Sequence, residues 1–195
     1  MTLSEFLESK GINIVEGYSQ QVPQQVIDLI ELTKDSLSIM EIGFNGGHSA
    51  ELFLENNKNV NLVSFDLGEH GYVTHAKEYI DRTYPNRHTL ILGDSRTTVP
   101  IYLENNKGVT FDVIFIDGGH DYQIAKADMF NCFHLAHKDT IVILDDTIFR
   151  PNLRKFWNSG PTRTWVENVL DCKITELGRK EYTIGRGMCW GKYKI

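Results

Sequence analysis

Cysteine is scarce in this chain: Cys132, Cys172 and Cys189 are widely spaced and odd in number. No C-x-x-C pair occurs, which excludes the common zinc and thiol-redox patterns and leaves reduced, mostly buried thiols as the expectation. No apolar run approaches the roughly 20 residues that a membrane helix needs. The opening "MTLSEFLESKG" lacks the basic end and apolar stretch of a signal peptide. A soluble, cytoplasmic chain with no membrane partner is therefore expected. Positive charge is short as well: 20 Lys and Arg stand against 26 Asp and Glu, for a net charge of −6. That balance argues against nucleic acid as a partner. It suits small cationic ligands, although surface acids are more often simply solvated. Repeats and low-complexity linkers are absent, so the 195 residues are expected to form one domain with a substantial core.

What is present is alternation. Residues 36–43, 61–67, 88–94, 111–118 and 139–146 are short, nearly continuous apolar runs, the pattern of strands covered on both faces. Helical spacing lies between them. Ala50, Phe53 and Leu54 share one face of a helix after the first run, and Ile124, Ala127, Phe130 and Phe133 recur in the segment before the fifth. The helix after the third run contains Pro100 and is expected to be short or to begin late. A helix at 23–35 opens on Pro23, and another at 161–170 has Pro161 near its first turn. "CKITELG" and "YTIGRGMCWGKYK", separated by "RKE", read as a closing hairpin. Strand–helix alternation implies right-handed crossovers and a parallel sheet.

In such sheets ligands bind beyond the carboxyl ends of the strands, where the strand order reverses. Each apolar run here ends at that edge in an acid or a glycine: Glu41 and Gly43, Asp66, Asp94, Asp117, then Asp145 with Asp146. One such acid usually caps a turn or helix; five strands in succession strain that explanation. The turn Glu41-Ile-Gly43-Phe-Asn45-Gly46-Gly47 serves either a tight strand-to-helix bend or close backbone approach to a ligand. Its spacing departs from the dinucleotide G-x-G-x-x-G. Asp66 lies where an acid can accept hydrogen bonds from both hydroxyls of a ribose. Asp94 and Ser95 stand where an adenine edge can be read.

The five parallel strands closed by an antiparallel pair, together with these acids, resemble the class I S-adenosylmethionine-dependent methyltransferases. The likeness covers residues 36–147 well and the termini in outline. It implies an α/β, Rossmann-like fold: a mostly parallel seven-stranded sheet ending in an antiparallel hairpin, with helices on both faces. The single domain at 1–195 would comprise an N-terminal helical extension (1–35), the core (36–147), and a lid, last helix and hairpin (148–195). By the same likeness S-adenosylmethionine is the cofactor. Glu41, Gly43, Asn45, Gly46 and Gly47 lie around its methionine part, Asp66 at the ribose, Asp94 and Ser95 at the adenine, and Asp117 beside them.

Asp117, Asp145 and Asp146 end neighbouring strands, and carboxylates converging there repel one another unless protons or a cation intervene. A hard divalent ion such as Mg²⁺ relieves that repulsion; the plainer alternative is that one Asp caps a helix while another faces solvent. The pattern resembles the metal-dependent O-methyltransferases, the branch that includes the catechol enzymes and those acting on the sugars of macrocin and mycinamicin. The resemblance implies Asp117, Asp145 and Asp146 as ligands of Mg²⁺ or another divalent cation. Where the catechol enzymes have a lysine, "DGGHDY" has His120, as in the macrolide-sugar enzymes. That shifts the expected acceptor toward a sugar or other aliphatic hydroxyl of a small molecule or glycan. His120 would take the hydroxyl proton.

Other segments leave their roles open. His48 begins a helix, touches the cofactor or faces solvent, and Tyr122 serves the cofactor or the core. Residues 147–160 offer a lid with aromatic and cationic groups or an exposed loop, and "GINIVEGYSQ" a cofactor cover or support for a homo-oligomer. The competing readings are a metal-independent methyltransferase of the same fold, an NAD-linked oxidoreductase and a non-catalytic binding module.

Overall fold

The computed structural model describes residues 1–195, apart from the side chain of Ser19. The apolar runs form parallel strands β1 (Ser38–Ile42), β2 (Asn61–Asp66), β3 (His88–Leu92), β4 (Phe111–Ile116) and β5 (Ala136–Asp145). Strands β6 (Ile174–Thr183) and β7 (Arg186–Tyr193) add an antiparallel hairpin, giving a seven-stranded sheet in the order β3-β2-β1-β4-β5-β7-β6. The order reverses between β1 and β4, which splits the loops beyond their carboxyl ends and leaves a crevice there.

Both faces of the sheet are covered. Helices α1 (Leu3–Ser9), α2 (Pro23–Thr33), α3 (His48–Asn56) and α4 (Tyr72–Thr83) pack with Ile39, Leu62, Phe115 and Ile143 on one side. Helices α5 (Ser95–Asn105), α6 (Tyr122–Phe133) and α7 (Ser159–Leu170) pack with Met40, Ile42, Ile114 and Leu144 on the other. Successive strand residues point to opposite faces, so the buried stretches Ile39–Ile42 of β1 and Val142–Leu144 of β5 are apolar apart from Glu41. No helix among the described residues is long and apolar enough to cross a membrane.

The fold departs from the sequence pattern in four places. Helix α5 runs unbroken from Ser95 through Pro100 to Asn105; Asp94 caps its first turn through Arg96 N–H, 2.9 Å away, and the proline costs only one backbone bond. The hairpin turns at Ile184-Gly185, with Gly185 at φ +75°, so Arg179, Lys180 and Glu181 are strand residues rather than the connection. The inward face of α6 is Ala125, Asp128, Met129 and Cys132, while Phe130 is 66% exposed. Helix α1 falls inside the expected helical extension but ahead of the one helix placed there at 23–35, and "TLSE" carries its signal. Thr2 accepts from Glu5 N–H at 3.2 Å and Glu5 accepts from Thr2 N–H at 2.8 Å, a reciprocal cap.

Candidate active site

At the β1–β4 reversal a cleft of about 550 Å³ opens along the carboxyl edge of the sheet. Gly43 forms its floor. The Gly43 N–H donates to the Phe65 carbonyl and the Asp117 N–H to the Ile42 carbonyl, both at 2.8 Å, so the ladder continues past the strand ends. Gly43 has φ +98°, and a Cβ placed on it would lie 1.9 Å from the Asp117 carbonyl oxygen. Only glycine fits there.

The turn that follows divides. Gly43 and Asn45 line the cleft, Asn45 in the left-handed region at φ +47°. Gly46 lines a smaller recess alongside it with Tyr18 and His48. Gly47 is set back, at φ +79°, with Phe44, Ala76 and Leu3 against it, and its role is to start α3. His48 is buried beneath Tyr18, their rings stacked at 3.8 Å, and burial lowers its pKa to about 4. It does not face solvent. Tyr122 serves neither the cleft nor the core: it is half-buried and points toward Glu167, with Arg163 stacked 3.9 Å over its ring.

Asp66 ends β2 on the cleft wall. Its two oxygens accept from Asn45 N–H at 2.7 Å and Gly68 N–H at 2.8 Å, which fixes the carboxylate while leaving lone pairs for a diol. Asp94 and Ser95 also line the cleft. Asp94 is engaged by the Arg96 guanidinium, with Nε at 3.0 Å from each oxygen, so it reaches the cleft as one half of an ion pair.

Glu41 departs from expectation. Its odd position in β1 turns it to the α3 face, fully buried between Ser49 and Ser64 and outside the cleft lining. Desolvation raises its pKa to about 7, against 4.5 when solvated. A carboxyl whose folded pKa is raised contributes fully at low pH, and that contribution is lost as pH climbs from about 4.5 to about 7. Glu41→Gln keeps the shape without the charge. It is expected to stabilise the fold at pH 8 by about 1–3 kcal/mol and to leave stability at pH 4 nearly unchanged; urea unfolding at the two pH values checks this.

The acids at β4 and β5 are rearranged as well. Ligand atoms of Asp117, His120 and Asp146 lie within 4.8 Å of one another. Asp145 is outside that group. As a strand residue on the same face as Ile143 it turns toward α2 and accepts from Gln25 Nε2 at 2.7 Å. Asp146 leaves the strand in the left-handed region, φ +56°, which redirects its carboxylate into the cleft. Its Oδ2 meets His120 Nε2 at 2.8 Å. That hydrogen bond raises the His120 pKa above its ordinary value, against the opposing effect of burial. Burial, then repulsion from Asp145 and Asp146, pushes the Asp117 carboxyl well above the usual range. Asp145 Oδ2 and Asp146 Oδ1 are buried without partners among the described residues. The converging carboxylates of Asp117 and Asp146, the latter with an orphaned oxygen, and the neighbouring imidazole make a donor set that fits a divalent cation. Of the expected trio the structure brings Asp117 and Asp146 together, with His120 beside them, and turns Asp145 away.

Arg186 carries no functional signal in the sequence, whereas Glu16, Gly17 and Trp157 reach the cleft from segments whose roles the sequence leaves open. Arg186, on β7, lines the cleft and lowers the pKa of both Asp117 and Asp145, offsetting part of their repulsion. Its guanidinium donates to Gln21 Oε1 at 3.2 Å, holding down the strap that carries Glu16 and Gly17 over the cleft. Glu16 pairs with His70 Nε2 at 3.3 Å from the opposite wall. In the loop 147–160 only Trp157 lines the cleft. Arg150 pairs with Glu181, Arg154 donates to the Ile148 carbonyl at 2.9 Å, and Phe156 is 87% exposed, so of the two alternatives for this segment the structure favours the exposed loop, with Trp157 the exception.

A family model described as a methyltransferase domain matches residues 40–147. Solved structures share the fold at low identity. An O-methyltransferase from Bacillus cereus, in complex with SAH, is 21% identical with a TM-score of 0.76, over 98% of this chain and 90% of that one. The O-methyltransferase TomG from Streptomyces achromogenes, involved in tomaymycin synthesis and in complex with SAM, is 14% identical with a TM-score of 0.72, over 99% and 88%. The N-methyltransferase NodS from Bradyrhizobium japonicum is 12% identical with a TM-score of 0.62, over 89% and 96%. No curated protein matches the sequence.

Proposed function

Because the chain belongs to the family of methyltransferase domains, we propose that it transfers a methyl group from S-adenosylmethionine to a hydroxyl of a small molecule or sugar, assisted by a divalent cation. One observation carries this reading: a single cleft runs from Asp66 and Ser95 at one end to Asp117, His120 and Asp146 at the other. A nucleoside end and a reaction end are thereby joined in one cleft. The G-x-G-x-x-G spacing of dinucleotide enzymes is missing.

In this reading Asp66 holds the ribose hydroxyls, Asp94 and Ser95 border the adenine, and Gly43, Asn45 and Gly46 admit the methionine part. Asp117 lies near the sulfonium, where its negative charge is complementary. Glu41 and Gly47 act only by shaping the turn. Asp117 and Asp146, with His120 beside them, would hold the cation, whose chemistry is to lower the pKa of a bound hydroxyl. The acceptor oxygen attacks the methyl carbon, the carbon–sulfur bond breaks with its electron pair passing to sulfur, and the hydroxyl proton passes to His120 Nδ1, since Nε2 is engaged by Asp146. S-adenosylhomocysteine leaves. The cleft wall is rich in acids, which favours a neutral polyol over an anionic acceptor, and Trp157 supplies an apolar surface against which a sugar ring packs.

A second reading keeps the methyl donor and dispenses with the cation. The 2.8 Å His120–Asp146 contact supports it, since a carboxylate on an imidazole makes a stronger base.

Calorimetry with S-adenosylhomocysteine tests the donor. Micromolar binding is expected, and Asp66→Ala is expected to weaken it about 100-fold through loss of two charge-assisted hydrogen bonds. Heat with NAD and none with S-adenosylhomocysteine would sink the proposal. Release of S-adenosylhomocysteine during turnover with a panel of sugar and phenolic alcohols identifies the acceptor class.

A further inference from the structure

Asp128 stands on the inward face of α6 among Ala125, Met129 and Cys132, where helical spacing calls for an apolar residue. It is fully buried. Its Oδ1 accepts the Ser95 hydroxyl at 2.6 Å, and its Oδ2 has no partner among the described residues. That oxygen lies behind Gly118, 3.3 Å from where a Cβ on that residue would sit. Ser95 and Gly118 both line the cleft. A buried carboxylate with an unused oxygen is costly, so its position calls for a compensating role.

Resting on the methyl-donor reading above, we infer that Asp128 is a positioning residue that makes Ser95 a selector for the 6-amino group of adenine. A serine hydroxyl has one proton and two lone pairs. Asp128 takes the proton, so only lone pairs remain toward the cleft. An exocyclic amine donates to them. A 6-oxo purine meets them lone pair to lone pair and is rejected, as sites built around one hydrogen-bond polarity reject the opposite polarity. Desolvation raises the Asp128 pKa to about 6, so at pH 8 the carboxylate is ionised and acts as an acceptor only.

The test is calorimetric titration at pH 8 with S-adenosylhomocysteine and with its 6-oxo analogue, S-inosylhomocysteine. The wild-type chain is expected to prefer the amino compound at least tenfold. Ser95→Ala should weaken the amino compound about tenfold and alter the oxo compound less than threefold. Asp128→Ala frees the hydroxyl to rotate and donate, so the preference should fall at least fivefold with the oxo compound bound as well as before or better. Equal weakening of both compounds in Asp128→Ala, or an unchanged preference in a folded Ser95→Ala, would overturn the inference and leave the donor reading standing. Failure of the wild-type chain to bind either compound would overturn both.

Discussion

Gly43→Ala is expected to cost about 4 kcal/mol or more, a large part of the roughly 5–15 kcal/mol that holds a typical domain together. A methyl group at this position would overlap the Asp117 carbonyl oxygen at 1.9 Å and its carbon at 2.6 Å, and φ +98° is strained for any L side chain. These are backbone atoms, so no rotamer change relieves the clash. Either β1 and β4 separate beyond their last ladder bonds or Asp117 moves with its neighbours. Thermal unfolding checks the first outcome. The second predicts that any variant recovered folded at low temperature loses both S-adenosylhomocysteine binding and methyl transfer. A variant with wild-type melting temperature and turnover would contradict the geometry at the strand reversal.

Asp146→Gly is expected to lower turnover at least 10³-fold while the fold is retained. Glycine takes φ +56° without strain, and removal of a buried, partly unsatisfied carboxylate relieves repulsion on Asp117. Melting temperature should therefore hold or rise while the reaction end loses a cation ligand and the partner of His120. His120→Ala is expected to lower turnover about 100-fold, the usual range for a proton acceptor, with S-adenosylhomocysteine affinity within threefold of wild type. Excess EDTA separates the two mechanistic readings. The cation model expects activity to collapse on chelation and to return with Mg²⁺ or Mn²⁺; an undiminished rate in EDTA would leave His120 and Asp146 as a metal-free base pair.

Some of this architecture is legible in the amino-acid sequence and some is not, according to where the information lies. The five strands are readable because a strand covered on both faces has few places for polar residues, so β1, β4 and β5 stand out as apolar runs. The acids at their carboxyl ends are readable for the same reason, each being an abrupt polar stop. Face assignments are harder. In α6, Ile124, Ala127, Phe130 and Phe133 fit helical spacing as well as Ala125, Asp128, Met129 and Cys132 do, and only packing against the sheet chooses between them. Periodicity favours the more apolar set and so passes over Asp128. The hairpin turn is misplaced by composition because Arg179, Lys180 and Glu181 look like a loop, yet they lie in an exposed edge strand where charged residues are tolerated.

By itself, then, the sequence determined the alternating α/β architecture, the glycine turn after β1 and the gathering of acids along one edge, since each depends on local spacing and strand polarity. Tertiary structure decided which acids meet. Asp145 and Asp146 are adjacent in the chain, but strand alternation sends one to Gln25 on α2, and a left-handed residue sends the other to His120. It also brought Arg186 and Glu16 to the cleft from distant segments and set Asp128 behind Ser95. Their partners depend on long-range packing, which local sequence does not encode.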